Sequence, residues 1–354
     1  MAARAIGLDI GATQVRAAEL EISGGGLRGA TSATLVRYAE LPLPAGAFAD
    51  GEVHEVATVA SVLKRLWAKG HFSTRQVIAG VGNQRVVVRE MELPSLPMDQ
   101  LRQSLPFQVG EMLPMSADDA LLDFYPTSER DGDHGKVLRG ILVAAHKSTV
   151  SSHVLAIESA GLTPMMIDLN AFALLRAQSV AEWGSQTVAF VDVGARTTNV
   201  IVAAGGVPRF VRTLPAGGQD ATDAVASALK VSTQEAEQIK REIGVGFAVA
   251  ESLKLGAEAL TTTTRGFVEA IRNTFVFYSQ NNPGGPVQHV ALTGGGAHMP
   301  GLGQYLASAM RLPVSFGDGL GRVRVNKRLK ATALEGRESL VAVCVGLALG
   351  QVNR

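Results

Sequence analysis

The sequence predicts an α/β protein of two similar halves, with a small α+β unit inserted into the first. Three observations lead there. The phrase Asp-[Ile/Val]-Gly-Ala occurs twice, at residues 9–12 and 192–195, each time closing one apolar run and preceding another, Val15–Leu20 and Val200–Ala204. The runs after each copy repeat one order of strands. Between residues 83 and 147 the pattern changes, and strands and a helix of another arrangement intervene. A chain of 354 residues also exceeds what one core usually serves, so more than one domain is expected.

The first apolar run ends at Ile10 and pairs as a hairpin with Val15–Leu20; Leu27–Ala30 and Leu35–Leu41 read as short strands, broken by Pro42 and Pro44. Val56, Val59, Ala60, Leu63 and Leu66 place a helical stripe on Val53–Lys69, and Gln76–Val81 is a strand. Three antiparallel strands, a helix and a strand open a ribonuclease H-like domain. In the insertion, Arg85–Arg89, Leu121–Tyr125 and Val137–Ala145 are strands, Met98–Val109 is a helix, and Ser128–Lys136 is a polar tip. Helix Val150–Ala160 stops at Gly161 and Pro164, then strand Met165–Leu169 and helix Ala171–Val180 complete the first half. Gly184-Ser185 marks the boundary, which divides the chain into 1–82 with 148–184, the insertion 83–147, and 185–354. The second half runs through strands Val188–Val193, Val200–Ala204 and Phe210–Leu214, helices Asp220–Leu229, Thr233–Glu242 and Thr262–Gln280, and strand Val287–Leu292, which enters Thr293-Gly294-Gly295-Gly296.

Composition excludes several function classes. With 33 basic against 32 acidic residues the net charge is +1, which lacks the basic field a nucleic-acid binder needs. The one cysteine, Cys344, lies in an apolar run and reads as a buried thiol, so no disulfide framework forms within the chain. No run reaches the ~18 apolar residues of a membrane span, and Asp9 and Gly11 interrupt any leader-like start. The expectation is a cytoplasmic protein that meets the membrane only through a partner. The seven histidines show no zinc spacing and read as surface or loop residues, no Walker-type G-x-x-x-x-G-K-[ST] occurs, and Gly24, Gly26 and Gly29 match a dinucleotide fingerprint only by chance, between two strands.

What remains is phosphate chemistry. Each repeated turn brings one aspartate, Asp9 or Asp192, beside a glycine whose permissive backbone lets N–H groups face an anion. The aspartates would repel phosphate oxygens, so they suit a hydrated Mg²⁺ that the phosphates also ligate. A single Asp-x-Gly is most often an ordinary turn; two in matching contexts suggest a clamp on a polyphosphate. The third glycine turn, Gly294, Gly295 and Gly296, follows a strand where ligands gather in α/β folds, although a plain strand-to-helix loop would look the same. Glu237, Lys240 and Arg241 share one helix face, either as a solvated cluster or as a carboxylate for ribose beside two cations.

In their order these motifs resemble the actin-like ATPase superfamily. Asp9–Arg16 is similar to its first phosphate motif, Asp192–Asn199 to the second, Thr293–Gly301 to the adenosine motif, and Ile157–Ala173 and Leu340–Gly350 to its two connecting helices. Glu237-x-x-Lys240-Arg241 resembles the adenosine-holding motif of the chaperone members. An α+β unit after Gln76–Gly82 resembles the FtsA and PilM branch. The chain stops at Gln351–Arg354, without the linker and amphipathic helix of FtsA, which favours the PilM family of type IV pilus assembly proteins. Leu105-Pro106-Phe107-Gln108 through Glu111–Pro114, followed by Asp123-Phe124-Tyr125, is similar to PilM as well.

The resemblance implies an actin-like fold in which two ribonuclease H-like domains flank a nucleotide cleft. It implies ATP and Mg²⁺ as ligands, with nucleotide contacts from Gly11, Ala12, Thr13, Gln14, Arg16, Gly194, Ala195, Arg196, Thr197, Thr198, Gly217, Gly218, Glu237, Lys240, Arg241, Gly294, Gly295, Gly296 and Met299, and metal contacts from Asp9 and Asp192. It further implies that a PilN-like inner-membrane protein inserts its N-terminal peptide beside the insertion, where Leu105, Phe107, Met112 and Leu113 are the candidate contacts. Pilus assembly ATPases and further copies of the chain are additional candidate partners. Where relatives often carry a glutamate the chain has Asn170, so slow or absent hydrolysis is expected. The competing readings are an FtsA-like division filament and a small-metabolite kinase with Asp168 as its base.

Overall fold

Both repeated aspartates end the central strand of a sheet, and the two sheets share one strand order. The computed structural model describes residues 3–23, 32–132, 135–178, 183–282, 285–329 and 334–350. The first sheet is built from β1 (Ala3–Ile10), β2 (Gln14–Ser23) and β3 (Ser32–Pro42); a short hairpin, β4 (Phe48–Ala49) and β5 (Glu52–Val53), leads to α1 (Val56–Gly70) and then β6 (Gln76–Val81). The chain leaves this sheet for β7 (Val86–Pro94), α2 (Met98–Val109), β8 (Ala120–Gly132) and β9 (Gly135–His146), and returns through α3 (Lys147–Ser159), β10 (Thr163–Leu169) and α4 (Asn170–Gln178). The second half holds β11 (Thr187–Val193), β12 (Thr198–Ala204), β13 (Val207–Leu214), α5 (Gly218–Leu229), α6 (Thr233–Ile243), α7 (Lys254–Asn281), β14 (His289–Thr293), α8 (Leu302–Met310) and β15 (Val314–Phe316). It closes with β16 (Arg324–Val325), α9 (Lys327–Leu329) and α10 (Ala342–Leu349).

The strand orders are β10-β6-β1-β2-β3-β16 and β13-β12-β11-β14-β15. Read from opposite ends they match: a central strand pairs antiparallel with the next strand in sequence and parallel with the strand after the first helices. This is the ribonuclease H-like duplication expected from the repeated motif. The insertion is a separate antiparallel sheet, β7-β9-β8, with α2 over one face and Leu93, Leu101, Leu105, Val109, Phe124 and Leu142 as its core.

Helices α4 and α10 lie between the two large sheets, where Leu174, Leu175, Cys344 and Val345 join residues of both in one core. Their close approach requires glycine. A Cβ on Gly346 would stand 1.8 Å from the Ala173 carbonyl oxygen, and one on Gly7 would stand 1.9 Å from that of Cys344. The outer face of the first sheet is covered by α1 and α3, through Val59, Leu63, Leu66 and Ile157.

Several expectations are revised. The polar tip Ser128–Lys136 is largely strand, since β8 and β9 pair as far as Gly132 and Gly135. Both faces of that ribbon are solvated, so no apolar alternation marks it; ion pairs such as Lys136 with Glu129 at 3.1 Å cross it instead. Helix α7 begins at Lys254 rather than Thr262, because buried Leu260 and Thr264 continue its inner stripe through a threonine run of low helix propensity. Strand β16, from the second half, pairs with β3 and extends the first sheet. The expected strand Leu27–Ala30 and the end of helix Ala171–Val180 lie outside the described residues.

Candidate functional site

The two candidate phosphate turns close in the same way: Gly11 N–H donates to the Gln14 carbonyl at 2.9 Å, and Gly194 N–H to the Thr197 carbonyl at 2.9 Å. Each aspartate stands two residues before its glycine, Asp9 opposite Arg16 across the β1–β2 ladder and Asp192 opposite Asn199 across the β11–β12 ladder. Both turns line one cleft of about 770 Å³ whose walls come from the two halves.

The structure brings Asp9, Gly11 to Gln14, Arg16, Asp192, Gly194 to Thr197, Gly218, Glu237, Lys240, Arg241, Gly294 to Gly296 and Met299 to that cleft. Thr198 and Gly217 do not line it. The Thr198 side chain is buried behind the turn and donates to the Ala216 carbonyl at 2.7 Å. Gly217 lies against the carbonyls of Gly194 and Ala195, where a Cβ would come within 2.5 Å. Directly after it, Gly218 and Gln219 N–H groups donate to those carbonyls at 2.9 and 2.8 Å. The start of α5 thus braces the second turn from behind. Gly294 has φ +84°, and a Cβ there would stand 2.4 Å from the Val193 oxygen and 2.8 Å from Asp192 Oδ1. Only glycine lets this third turn close over the metal candidate.

The electrostatics favour a cation in the cleft. Burial pushes the Asp9 carboxyl up to about 6; Arg16, with Nη1 at 3.9 Å, opposes the rise and Asp192 across the cleft adds to it. Burial likewise raises Asp192, against hydrogen bonds from Thr293 at 3.1 Å and from Asn199. No cluster of three or more His, Cys, Asp or Glu suited to a metal occurs among the described residues. Two carboxylates without a full protein cage fit Mg²⁺, which keeps waters and takes phosphate oxygens for its other positions. Asp9 and Asp192 would hold it, and it would neutralise phosphate charge.

Lys240 lines the cleft and is also tied into its wall. Its ammonium is 2.6 Å from Glu237 Oε2 and donates to the Gly218 carbonyl at 3.0 Å and to Thr222 Oγ1 at 2.8 Å, so its three donors are engaged. Glu237 also accepts from Thr222 at 2.6 Å and from Arg241 at 2.9 Å. Arg241 is the exposed member of the group. Lys240→Met should therefore destabilise the fold by roughly 2 kcal/mol, since it removes the charged hydrogen bonds to Gly218 and Thr222 while Arg241 still pairs with Glu237, and should weaken ATP and ADP equally. Chemical denaturation and titration of both nucleotides check this.

Asn170 opens α4 and lines the cleft, and its Oδ1 is buried without a hydrogen-bond partner. It lies over Gly80, whose Cβ would stand 1.9 Å from that oxygen. Asp168 is not a cleft residue: it accepts from the Leu169 N–H at 2.7 Å and pairs with Arg176. The kinase reading loses its candidate base.

Some cleft residues carried no usable sequence signal. His153 is buried, hydrogen-bonded to the Thr149 carbonyl at 2.9 Å and edge-on to Phe48, and burial lowers its pKa. His298 reaches Ser339 Oγ at 2.7 Å and stacks on Phe316. Only His153 departs from the surface or loop histidines expected; His298 is exposed on its turn.

In the insertion, Leu105 is fully buried in the local core and is withdrawn from the candidate partner surface. Leu101, Leu105 and Val109 form the inner stripe of α2, so Phe107 points away and is 91% exposed. Met112 is exposed, and Leu113 packs at the core's rim. Pattern reading missed exposed Leu121 and Tyr125, the latter with its ring 5.5 Å from that of Phe172 in α4.

The sequence profile of the family described as type IV pilus assembly protein PilM matches residues 7–352. The chain belongs to the PilM family. Among solved structures, the PilM–PilN type IV pilus biogenesis complex is similar at a TM-score of 0.85 and 26% identity, covering 98% of each chain. MreB5 of Spiroplasma citri bound to AMPPNP is similar in fold, with a TM-score of 0.53 at 13% identity over 99% of this chain and 96% of that one. The cell division protein FtsA of Bacillus subtilis is 26% identical over 185 residues, 47% of this chain and 41% of the relative. FtsA of Borreliella burgdorferi is 23% identical over 218 residues, 54% of this chain and 52% of the relative. The chain thus spans about half the length of the FtsA relatives it matches or less. The PilM match and these neighbours establish the actin-like α/β fold. Among the described residues no helix is long and apolar enough to cross a membrane.

Proposed function

We propose that this PilM-family chain binds Mg·ATP in the cleft and uses the nucleotide mainly as a conformational ligand while it docks the N-terminal peptide of a PilN-like inner-membrane protein. The observation that carries the nucleotide reading is the pair of identically closed turns, each delivering a part-buried aspartate to the same cleft. Backbone N–H groups of both turns serve the phosphates, Gly294 to Gly296 offer a flat surface to the base, and Arg241 supplies the exposed cation at the adenosine end. The partner reading rests on family membership and on likeness to a PilM–PilN complex. Phe107, Met112, Leu121 and Tyr125 are the exposed apolar side chains of the insertion that can meet a peptide. Such a partner would recruit the chain to the inner face of the cytoplasmic membrane.

Mg·ATP at 100 times its dissociation constant should stabilise the wild-type chain by ~2.7 kcal/mol, and Asp192→Ala should abolish most of that gain. An unchanged thermal shift in the variant would remove the assignment. Turnover should stay below the ~1–100 s⁻¹ of phosphoryl-transfer kinases, because the amide of Asn170 cannot take a proton from water as a carboxylate does. Phosphate release by the purified chain measures this; rapid release would contradict it.

A further inference from the structure

Strand β7 edges the insertion's sheet, and β13 edges the sheet of the second half. The two edges lie beside each other, yet they form no ladder. What joins them is a side-chain contact: Glu90 Oε1 accepts from Arg139 Nε at 2.7 Å within the insertion and stands 3.7 Å from Arg209 Nη1 of the second half. The longer distance is an ion pair without a close hydrogen bond.

Arg209 occupies an irregular position. In the β12–β13 ladder Val202 pairs with Phe210 and Ala203 with Pro208, so Arg209 is the unpaired residue of a β-bulge. Bulges at sheet edges re-aim side chains. Behind the pair lies Tyr278 of α7, fully buried, its hydroxyl without a hydrogen-bond partner. Its ring packs 6.1 Å from that of Phe210. Burial raises the phenol's pKa, with Arg209 opposing and Glu90 adding to the rise. An unpaired buried hydroxyl is costly, and Glu90 and Arg209 stand at 3.7 Å, beyond a close hydrogen bond.

We propose that Glu90, Arg209 and Tyr278 form a latch between the insertion and the second half, loose in the arrangement described here and closed when the halves clamp a nucleotide. In the closed arrangement Arg209 hydrogen-bonds Glu90, and the Tyr278 hydroxyl donates to the same carboxylate. The mechanical path is short. β13 pairs with β12, and β12 pairs with β11, whose joining turn lines the cleft with Asp192. The latch couples nucleotide binding to the orientation of the insertion, and it rests on the nucleotide reading above.

The test uses the full chain with spin labels at Ser128→Cys in the insertion and Arg272→Cys in α7, since Cys344 is buried. Inter-label distances are measured with and without Mg·AMPPNP, beside the thermal shift with the same nucleotide. The wild-type background should show a nucleotide-dependent change of distance. Arg209→Met should lose that change and bind nucleotide about threefold to tenfold more weakly, with Arg209→Lys restoring part of it. Tyr278→Phe should leave the free protein as stable or more so, since it deletes the unpaired hydroxyl, yet reduce the nucleotide-dependent change. If the Arg209→Met and Tyr278→Phe chains fold, bind nucleotide and keep the wild-type distances in both states, the latch is wrong and the nucleotide reading stands. A wild-type chain that gives no shift with the nucleotide removes both.

Discussion

Asp9→Asn should raise the melting temperature of the ligand-free protein at neutral pH while destroying its response to Mg·ATP. The buried carboxyl has its pKa pushed from 3.8 to about 6. Below pH ~4 the acid is protonated in both folded and unfolded chains and contributes nothing. As pH rises through the window from 3.8 to about 6, the unfolded state ionises first and stability is lost. Above that window the loss is complete. At 1.36 kcal/mol per pKa unit it amounts to about 3 kcal/mol, or about 4 °C for a chain of this length. Melting curves between pH 4 and 8 should show the wild type falling below Asp9→Asn across that window, and Mg·ATP should close the gap only in the wild type. Parallel pH profiles for the two chains would remove the claim that Asp9 is held in the cleft at a cost to stability.

Gly346→Ala should destabilise the chain by about 4 kcal/mol, at the upper end of core overpacking. The added methyl would meet the Ala173 carbonyl oxygen at 1.8 Å, so backbone must move against backbone where α10 crosses α4. A flexible side chain could rotate away from such a clash; a carbonyl in a helix cannot without breaking its ladder. These two helices join the cores of both sheets, so separating them also displaces the cleft walls. Chemical denaturation should give a lower midpoint, and any folded fraction should bind nucleotide poorly. A midpoint within ~0.5 kcal/mol of wild type would mean that the crossing can relax.

Much of the fold was legible because local chemistry and periodicity carried it. Gln76–Val81 and Met98–Val109 were bounded correctly from apolar spacing, and the repeated Asp-x-Gly turns predicted the two central hairpins. The errors fell where such signals vanish. A solvated ribbon such as β8–β9 shows no alternation, and β16, two residues long, has no pattern that says which sheet edge it will join. In the insertion, Leu105 and Phe107 look equivalent in sequence. Only the direction in which α2 lays its stripe onto the sheet separates core from surface.

By itself the sequence determined the duplicated α/β plan, the two aspartates and three glycine turns, and the place of the insertion. These rest on residue types with local physical requirements: glycine where backbone comes close, aspartate at a strand end, apolar residues at one period. The tertiary structure alone decided that Lys240 bonds to Gly218 and Thr222 in the cleft wall, that Asp168 turns away to Arg176, that His153 and His298 belong to the cleft, and that Arg209 reaches the insertion. Each depends on elements distant in sequence meeting in space, and no local pattern encodes which buried charge will find its partner first.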